Sequence, residues 1–260
     1  MTFEEYINNP MGIKSAVISN REMYRKMYTD KLNKVMVREV GKVDYQLYKS
    51  KSKYYCYMKI PSEVVPNFYY DVIIEFSEPK NGNKKFGDAS LRNYDVKFFS
   101  NDPSFVYTFC YAFRKNGMFI DDYKEKMSPE ALAQKPVEKN PTVSVGYVKS
   151  LYFAYLLMKK RDLFTKLKYV SSYDKKRVLD QIMPADQKIK ERQEAADNIR
   201  DKKRIARNIR EEKRKQAMDK DFAKYIKKPS VVAQTIKTNT INNTRKVGFN
   251  IKNTKKSKKI

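Results

Sequence analysis

Over the first 186 positions the apolar residues recur with two periods, and the switches between them predict an order of elements. Ser19 followed by Glu22 has capping-box spacing. Met23, Tyr24, Met27, Tyr28, Leu32, Val35 and Met36 then follow at helical period, which predicts a helix over roughly 20–36. Aromatic-rich runs at Val43–Tyr48, Lys53–Ile60, Phe68–Phe76 and Asn93–Phe99 read as strands. Polar turns separate them around 49–53 and at 79–88, the latter holding Asn81 and Gly82. At 100–113, Asn101 or Asp102 can cap a helix whose first position suits Pro103. Phe105, Phe109, Cys110 and Phe113 recur on one side of it, and Gly117 is a fitting terminator. Ser128 and Pro129 open a short helix, Pro136 and Pro141 bracket a linker, and Gly146 to about Phe164 reads as a buried helix. Ser171 with Asp174 repeats the capping-box spacing before Val178, Leu179, Ile182 and Met183, and Pro184 closes the segment. The expected fold is α+β, with a small mostly antiparallel sheet of three to five strands packed with several helices.

Beyond Pro184 the pattern changes. Lys188 to Lys228 contains no Gly or Pro and is rich in Ala, Arg, Lys, Glu and Gln, so its helix propensity is high. Its apolar stripe of Ile189, Ala196, Ile199, Ala206, Ile209, Ala217 and Phe222 is too thin for a coiled coil. NIRDKKR at 198–204 recurs as NIREEKR at 208–214, close to three helical turns later. A long charged helix lying on a partner is the expectation, and a largely disordered charged segment is the other reading of the composition. Residues 229–260 contain no acid and only isolated Val and Ile among Asn, Thr, Ser and Lys, which predicts an extended basic tail. The chain thus divides into an N-terminal arm (1–18), an aromatic-rich α+β body (19–186), a long charged helix (187–228) and the tail (229–260).

Charge sharpens this division. The chain carries 56 basic and 30 acidic side chains, a net of +26. Residues 187–260 hold 24 of the basic and 8 of the acidic ones, a net of +16. Of the 34 Phe and Tyr residues only Phe222, Tyr225 and Phe249 follow position 187, so the body alone can build a core. An anionic partner is the natural complement of the arm. The candidate contacts are Arg204, Arg207, Arg210, Lys227, Lys228, Lys237, Arg245, Lys246, Lys252, Lys255, Lys256, Lys258 and Lys259. The longest apolar run, Leu151–Met158, is far short of a membrane span, and the acidic, polar start does not read as a secretory signal. The expectation is a soluble protein, intracellular or particle-bound.

Candidate chemistry is sparse. With no histidine there is no His-based triad or zinc site, and the glycine-rich phosphate-binding motifs are absent. Cys56 and Cys110 lie in apolar surroundings and read as buried core thiols, although spacing alone leaves a disulfide open. Asp71, Glu75 and Asp95 on proposed strands could face one another and hold a divalent metal, the one enzymatic arrangement available; ordinary solvent-facing carboxylates are the plainer reading. Tyr54, Tyr55 and Tyr57 interleave with Lys in LYKSKSKYYCYMK and could form a stacking platform for bases or a partner. A tyrosine-rich core edge or protein interface is the plainer reading. No catalytic residue, cofactor or metal is assigned.

NNPMG, SNREMYRKMYTDKL at 19–32 and FFSNDPSFVYTFCYAF at 98–113 resemble proteins of tailed bacteriophages of gut bacteria, most of all products of the structural gene block of crAss-like phages. The resemblance covers mainly residues 8–113. It implies a non-enzymatic virion component at the head-to-tail neck, in a ring below the portal or on the capsid. It also implies, as partners, copies of itself, portal or connector proteins and packaged DNA. No catalytic or ligand residue carries over. The rival expectation, drawn from charge, is a non-specific nucleic-acid-binding or ribosome-associated protein.

Overall fold

The structure, a computed structural model, describes residues 1–8, 44–78, 90–135, 145–166 and 170–226, with a few positions at 26–34, 140 and 143. The basic segment from 227 onward, including the expected extended tail, lies outside the described residues. The described residues divide into two units, the first Met1–Asp201 and the second beginning at Lys202.

A five-stranded sheet organises the first unit. Strands β1 (Tyr45–Ser50), β2 (Lys53–Pro61), β3 (Tyr69–Ser77), β4 (Asp95–Ser100) and β5 (Ser171–Ser172) stand in the order β4-β3-β2-β1-β5. All neighbours are antiparallel except β1 and the two-residue β5, which run parallel. The four long strands match the aromatic-rich runs, and the central β2 and β3 are buried almost without a break, as near-continuous apolar runs are in a sheet covered on both sides. Leu47, Cys56, Ile74 and Phe98 pair in succession across one face; Tyr48, Tyr55, Glu75 and Lys97 pair across the other.

Helices close both faces. On the first, the Phe98 ring meets Phe3 at 5.0 Å and Tyr6 at 5.1 Å, both from α1 (Phe3–Asn8). The start of the chain, expected as an arm, is therefore part of the core. On the second face, the Phe99 ring meets Tyr123 at 5.1 Å, and Tyr55 stacks on Tyr173 at 4.0 Å with 11° between the rings. Helices α2 (Cys110–Lys115), α3 (Pro129–Ala133), α4 (Lys149–Lys160), α5 (Lys175–Gln181) and α6 (Ala185–Ile226) complete the described elements, with short 3-10 turns at Leu91–Asn93 and Asp121–Lys126. Of the helix expected over 20–36, the described positions Lys26, Met27, Thr29–Lys31, Asn33 and Lys34 are helical.

Three local expectations need correction. The helix after Pro103 passes through a π-helical stretch, Phe105–Phe109, where the Cys110 N–H reaches back to the Phe105 carbonyl. The buried helix begins at Lys149 rather than at Gly146. The Tyr6 hydroxyl donates to the Gly146 carbonyl (2.8 Å) and accepts from the Val148 N–H (3.3 Å), which holds this stretch outside the helix. Ser171 does not cap α5, because it is bound in β5 opposite Tyr48. Asp174 caps instead, accepting from the Arg177 N–H at 3.2 Å.

The first turns of α6 belong to the body. Ala185 and Ala196 are buried, and Ile189 packs against the main core. The Asn101 amide donates to the Met183 carbonyl at 3.3 Å, the Lys188 ammonium lies 4.6 Å from the Phe68 ring centre, and the Arg192 charge acts on the Tyr70 phenol. The boundary between body and arm thus falls near Asp201 rather than at Pro184.

Candidate functional site

Every described side chain of α6 from Arg200 to Lys224 is exposed. Nothing in the body's core specifies this stretch, so its helicity rests on propensity and on local pairs. Arg207 Nε lies 2.8 Å from Glu211 Oε1, and Lys224 Nζ lies 3.2 Å from Asp221 Oδ1. Exposed pairs of this kind contribute only tenths of a kcal/mol each.

The remaining cations are not spread evenly. Residues 202–215 hold eight basic and two acidic side chains. At about 100° per residue, Lys203, Arg207, Arg210 and Arg214 recur at i, i+4, i+7 and i+11 and form one stripe, about 16 Å long at the helical rise. Lys202 and Lys213 flank it on one side and Arg204 and Glu211 on the other, while Glu212 lies on the far side of the helix. Among the described residues, Lys202, Lys203, Arg210, Lys213, Arg214 and Lys215 have no carboxylate within ion-pair distance. The same stretch leaves Ile205, Ile209, Met218 and Phe222 between 45% and 70% exposed. Each of the pairs Ile205/Ile209 and Met218/Phe222 is spaced to share a side of the helix.

Of the residues expected to make contacts, Arg207 and Arg210 fall on the stripe and Arg204 falls off it. Lys227, Lys228, Lys237, Arg245, Lys246, Lys252, Lys255, Lys256, Lys258 and Lys259 lie outside the described residues. Lys203 and Arg214 went unread as site residues, although the spacing of four and three that marks them is visible in the sequence.

Tyr54, Tyr55 and Tyr57 are buried within the chain's own fold. The Tyr54 ring packs edge-on against Tyr94 at 5.9 Å, with the Lys49 ammonium 5.5 Å from its centre. Tyr55 is covered by Tyr173, whose hydroxyl is 2.8 Å from that of Tyr123. Burial, with the neighbouring Glu75 charge, pushes the Tyr55 phenol far up. The Tyr57 hydroxyl donates to Asp71 at 2.7 Å. Little of these rings is left for a base or a partner to stack upon.

The three strand carboxylates are held apart by separate partners. Asp71 accepts from Tyr57 and, at 2.7 Å, from the Asn101 amide, while its own N–H donates to Asn101 Oδ1 at 2.8 Å. Glu75 lies 3.0 Å from Lys53 Nζ, and Asp95 takes the N-terminal ammonium. No group of three or more acidic or cysteine side chains converges on a metal-sized site among the described residues. Cys56 and Cys110 are free, buried thiols, and burial pushes both up to about 12. No described helix is long and apolar enough to cross a membrane.

No family model, curated protein or solved structure matches the chain.

Proposed function

We propose that this chain is a non-enzymatic structural component of a tailed-phage particle. It would be a head-to-tail connector, ring or capsid-associated protein whose body packs among neighbouring subunits and whose helix α6 fastens it there. The observation that carries the fastening role is the exposure of Ile205, Ile209, Met218 and Phe222 on one helix. Covering such side chains is favourable, and a protein partner covers them better than a phosphate backbone does. The resemblance of residues 8–113 to structural-block phage proteins supplies the setting. It makes the virion the location, and further copies of the chain with portal or connector proteins the partners. Neither a cofactor nor a metal enters this reading.

A second reading, sequence-independent nucleic-acid binding, is favoured by the stripe Lys203–Arg207–Arg210–Arg214. Cations on one helix face displace condensed counterions from a phosphate backbone, and that binding weakens steeply as salt rises. Within a particle the same stripe would touch packaged DNA.

Sedimentation of the full chain, alone and with two unrelated duplex DNAs over a salt series, separates the readings. The structural reading expects concentration-dependent association that is lost in Ile205→Asp/Phe222→Asp. It expects DNA binding that is weak, indifferent to sequence and removed by Lys203→Glu/Arg207→Glu/Arg210→Glu/Arg214→Glu. A protein that stays monomeric and holds one defined nucleic acid at high salt would replace it with the second.

A further inference from the structure

A cleft of about 660 Å³ opens along the outer edge of β1, bounded by Tyr45–Tyr48 of that strand and by Lys166, Ser171 and Arg177. Its origin is topological. The two residues of β5 pair only with Tyr48 and Lys49, so β1 has no described strand beside Tyr45–Leu47. The volume falls in the range of small-molecule sites and is far larger than a bare inorganic anion needs.

The lining chemistry is specific. Two cations line the cleft from different parts of the chain, Lys166 after the turn that follows α4 and Arg177 from α5, and no carboxylate is among the described lining residues. The Arg177 charge reaches the Tyr48 phenol, where it partly offsets the upward push of burial. The Tyr48 hydroxyl donates to Gln46 Oε1, so these two lining side chains are tied to each other on one face of β1. Tyr45 is the exposed ring of the site, and the Arg161 guanidinium lies 5.4 Å from its centre. A flat base laid on Tyr45 would extend an existing arginine–aromatic stack. A simple acidic side chain would use the two cations and leave the ring without a role.

We propose that this cleft binds a nucleotide, with its phosphate between Lys166 and Arg177 and its base on Tyr45. The nucleotide comes either free or as one unit of a single strand; both present the same base and phosphate. The site shares no residue with the α6 stripe, and the proposal stands or falls apart from the function assigned to that helix.

The test is calorimetric titration of the full chain at low salt with thymidine 5′-monophosphate, inorganic phosphate, oligothymidylate and a glutamate-rich peptide. Thymidine monophosphate is expected to bind about tenfold or more tightly than phosphate, because the base adds stacking to the charge contact. Lys166→Ala/Arg177→Ala should lower its affinity by about tenfold or more, since charge-assisted contacts are the strong ones. Tyr45→Ala should weaken it and Tyr45→Phe should not, as the phenyl ring still stacks. Lys203→Glu/Arg207→Glu/Arg210→Glu/Arg214→Glu should leave it unchanged, and in that background oligothymidylate identifies the source. Tighter binding than the monophosphate assigns the site to a single strand, and equal binding assigns it to a free nucleotide. Equal affinity for phosphate and monophosphate, a stronger response to the peptide, binding that survives Lys166→Ala/Arg177→Ala, or no response to any probe would overturn the proposal.

Discussion

Gly146 shows how much one missing side chain can decide. A Cβ placed there would stand 2.6 Å from Phe109 Cε1, closer than such atoms approach one another. The backbone is not free to withdraw, because the Gly146 carbonyl takes the Tyr6 hydroxyl and the Val148 N–H donates to the same oxygen of Tyr6. The requirement is one of space. Gly146→Ala is therefore expected to destabilise the body by about 1–3 kcal/mol, as other overpacked sites do. Phe109→Leu in the same chain should recover part of the loss, so that urea denaturation gives a favourable coupling between the two changes. Strict additivity would show that the ring is not what the new methyl meets. Asn101 is placed with similar economy, its one amide bonding the backbone and carboxylate of Asp71 and the carbonyl of Met183.

Between elements, the most consequential tie is the Glu63 carboxylate. Lys149 at the start of α4 lies 2.9 Å from one of its oxygens, and Lys31, from the helical stretch at 26–34, lies 3.1 Å from the other. Burial raises the carboxyl, but the two lysines more than offset it and hold Glu63 below its ordinary 4.5. A depressed carboxylate contributes stability that is complete above the unfolded value and is lost as pH falls through the folded one. Thermal unfolding followed below pH 4.5 should accordingly show a smaller acid-dependent loss in Glu63→Gln than in the parent chain. An unchanged pH slope would remove the clamp from the account. The four long strands were legible in the sequence because each carries its own aromatic or alternating run. The two-residue β5, the π-helical stretch at Phe105–Phe109 and the late start of α4 were not, and the first and last of these depend on contacts from distant positions. Ser171 pairs with Tyr48, and Tyr6 holds Gly146. The basic stripe was partly legible: charge counting finds Arg207 and Arg210, but only helical angle adds Lys203 and Arg214 and sets Arg204 aside. The cleft beside β1 left no mark in the sequence, because Tyr45 and Arg177 meet only through the fold.

At the scale of the whole chain, residues of one continuous core run from Phe3 to Ala185, with Cys56 on β2 and Cys110 at the start of α2 both inside it. Burial holds both thiols protonated at mildly alkaline pH, and neither offers a surface to a reagent. In a denaturant series with a thiol-reactive dye, both are expected to become reactive at one midpoint, coincident with loss of the fold. Labelling of either cysteine well before that point would mean that the core opens in parts. The stacked pair Tyr55–Tyr173 has a further practical consequence. The chain has no tryptophan, and of its twenty tyrosines only Tyr225 lies beyond position 187. Near-ultraviolet dichroism is then almost wholly a signal of the body, with closely stacked phenols among its strongest sources, whereas the exposed stretch of α6 contributes chiefly in the far ultraviolet. The near-ultraviolet band therefore reads the body almost alone, while the far-ultraviolet band reads the body and the helical arm together, with no dye attached to either.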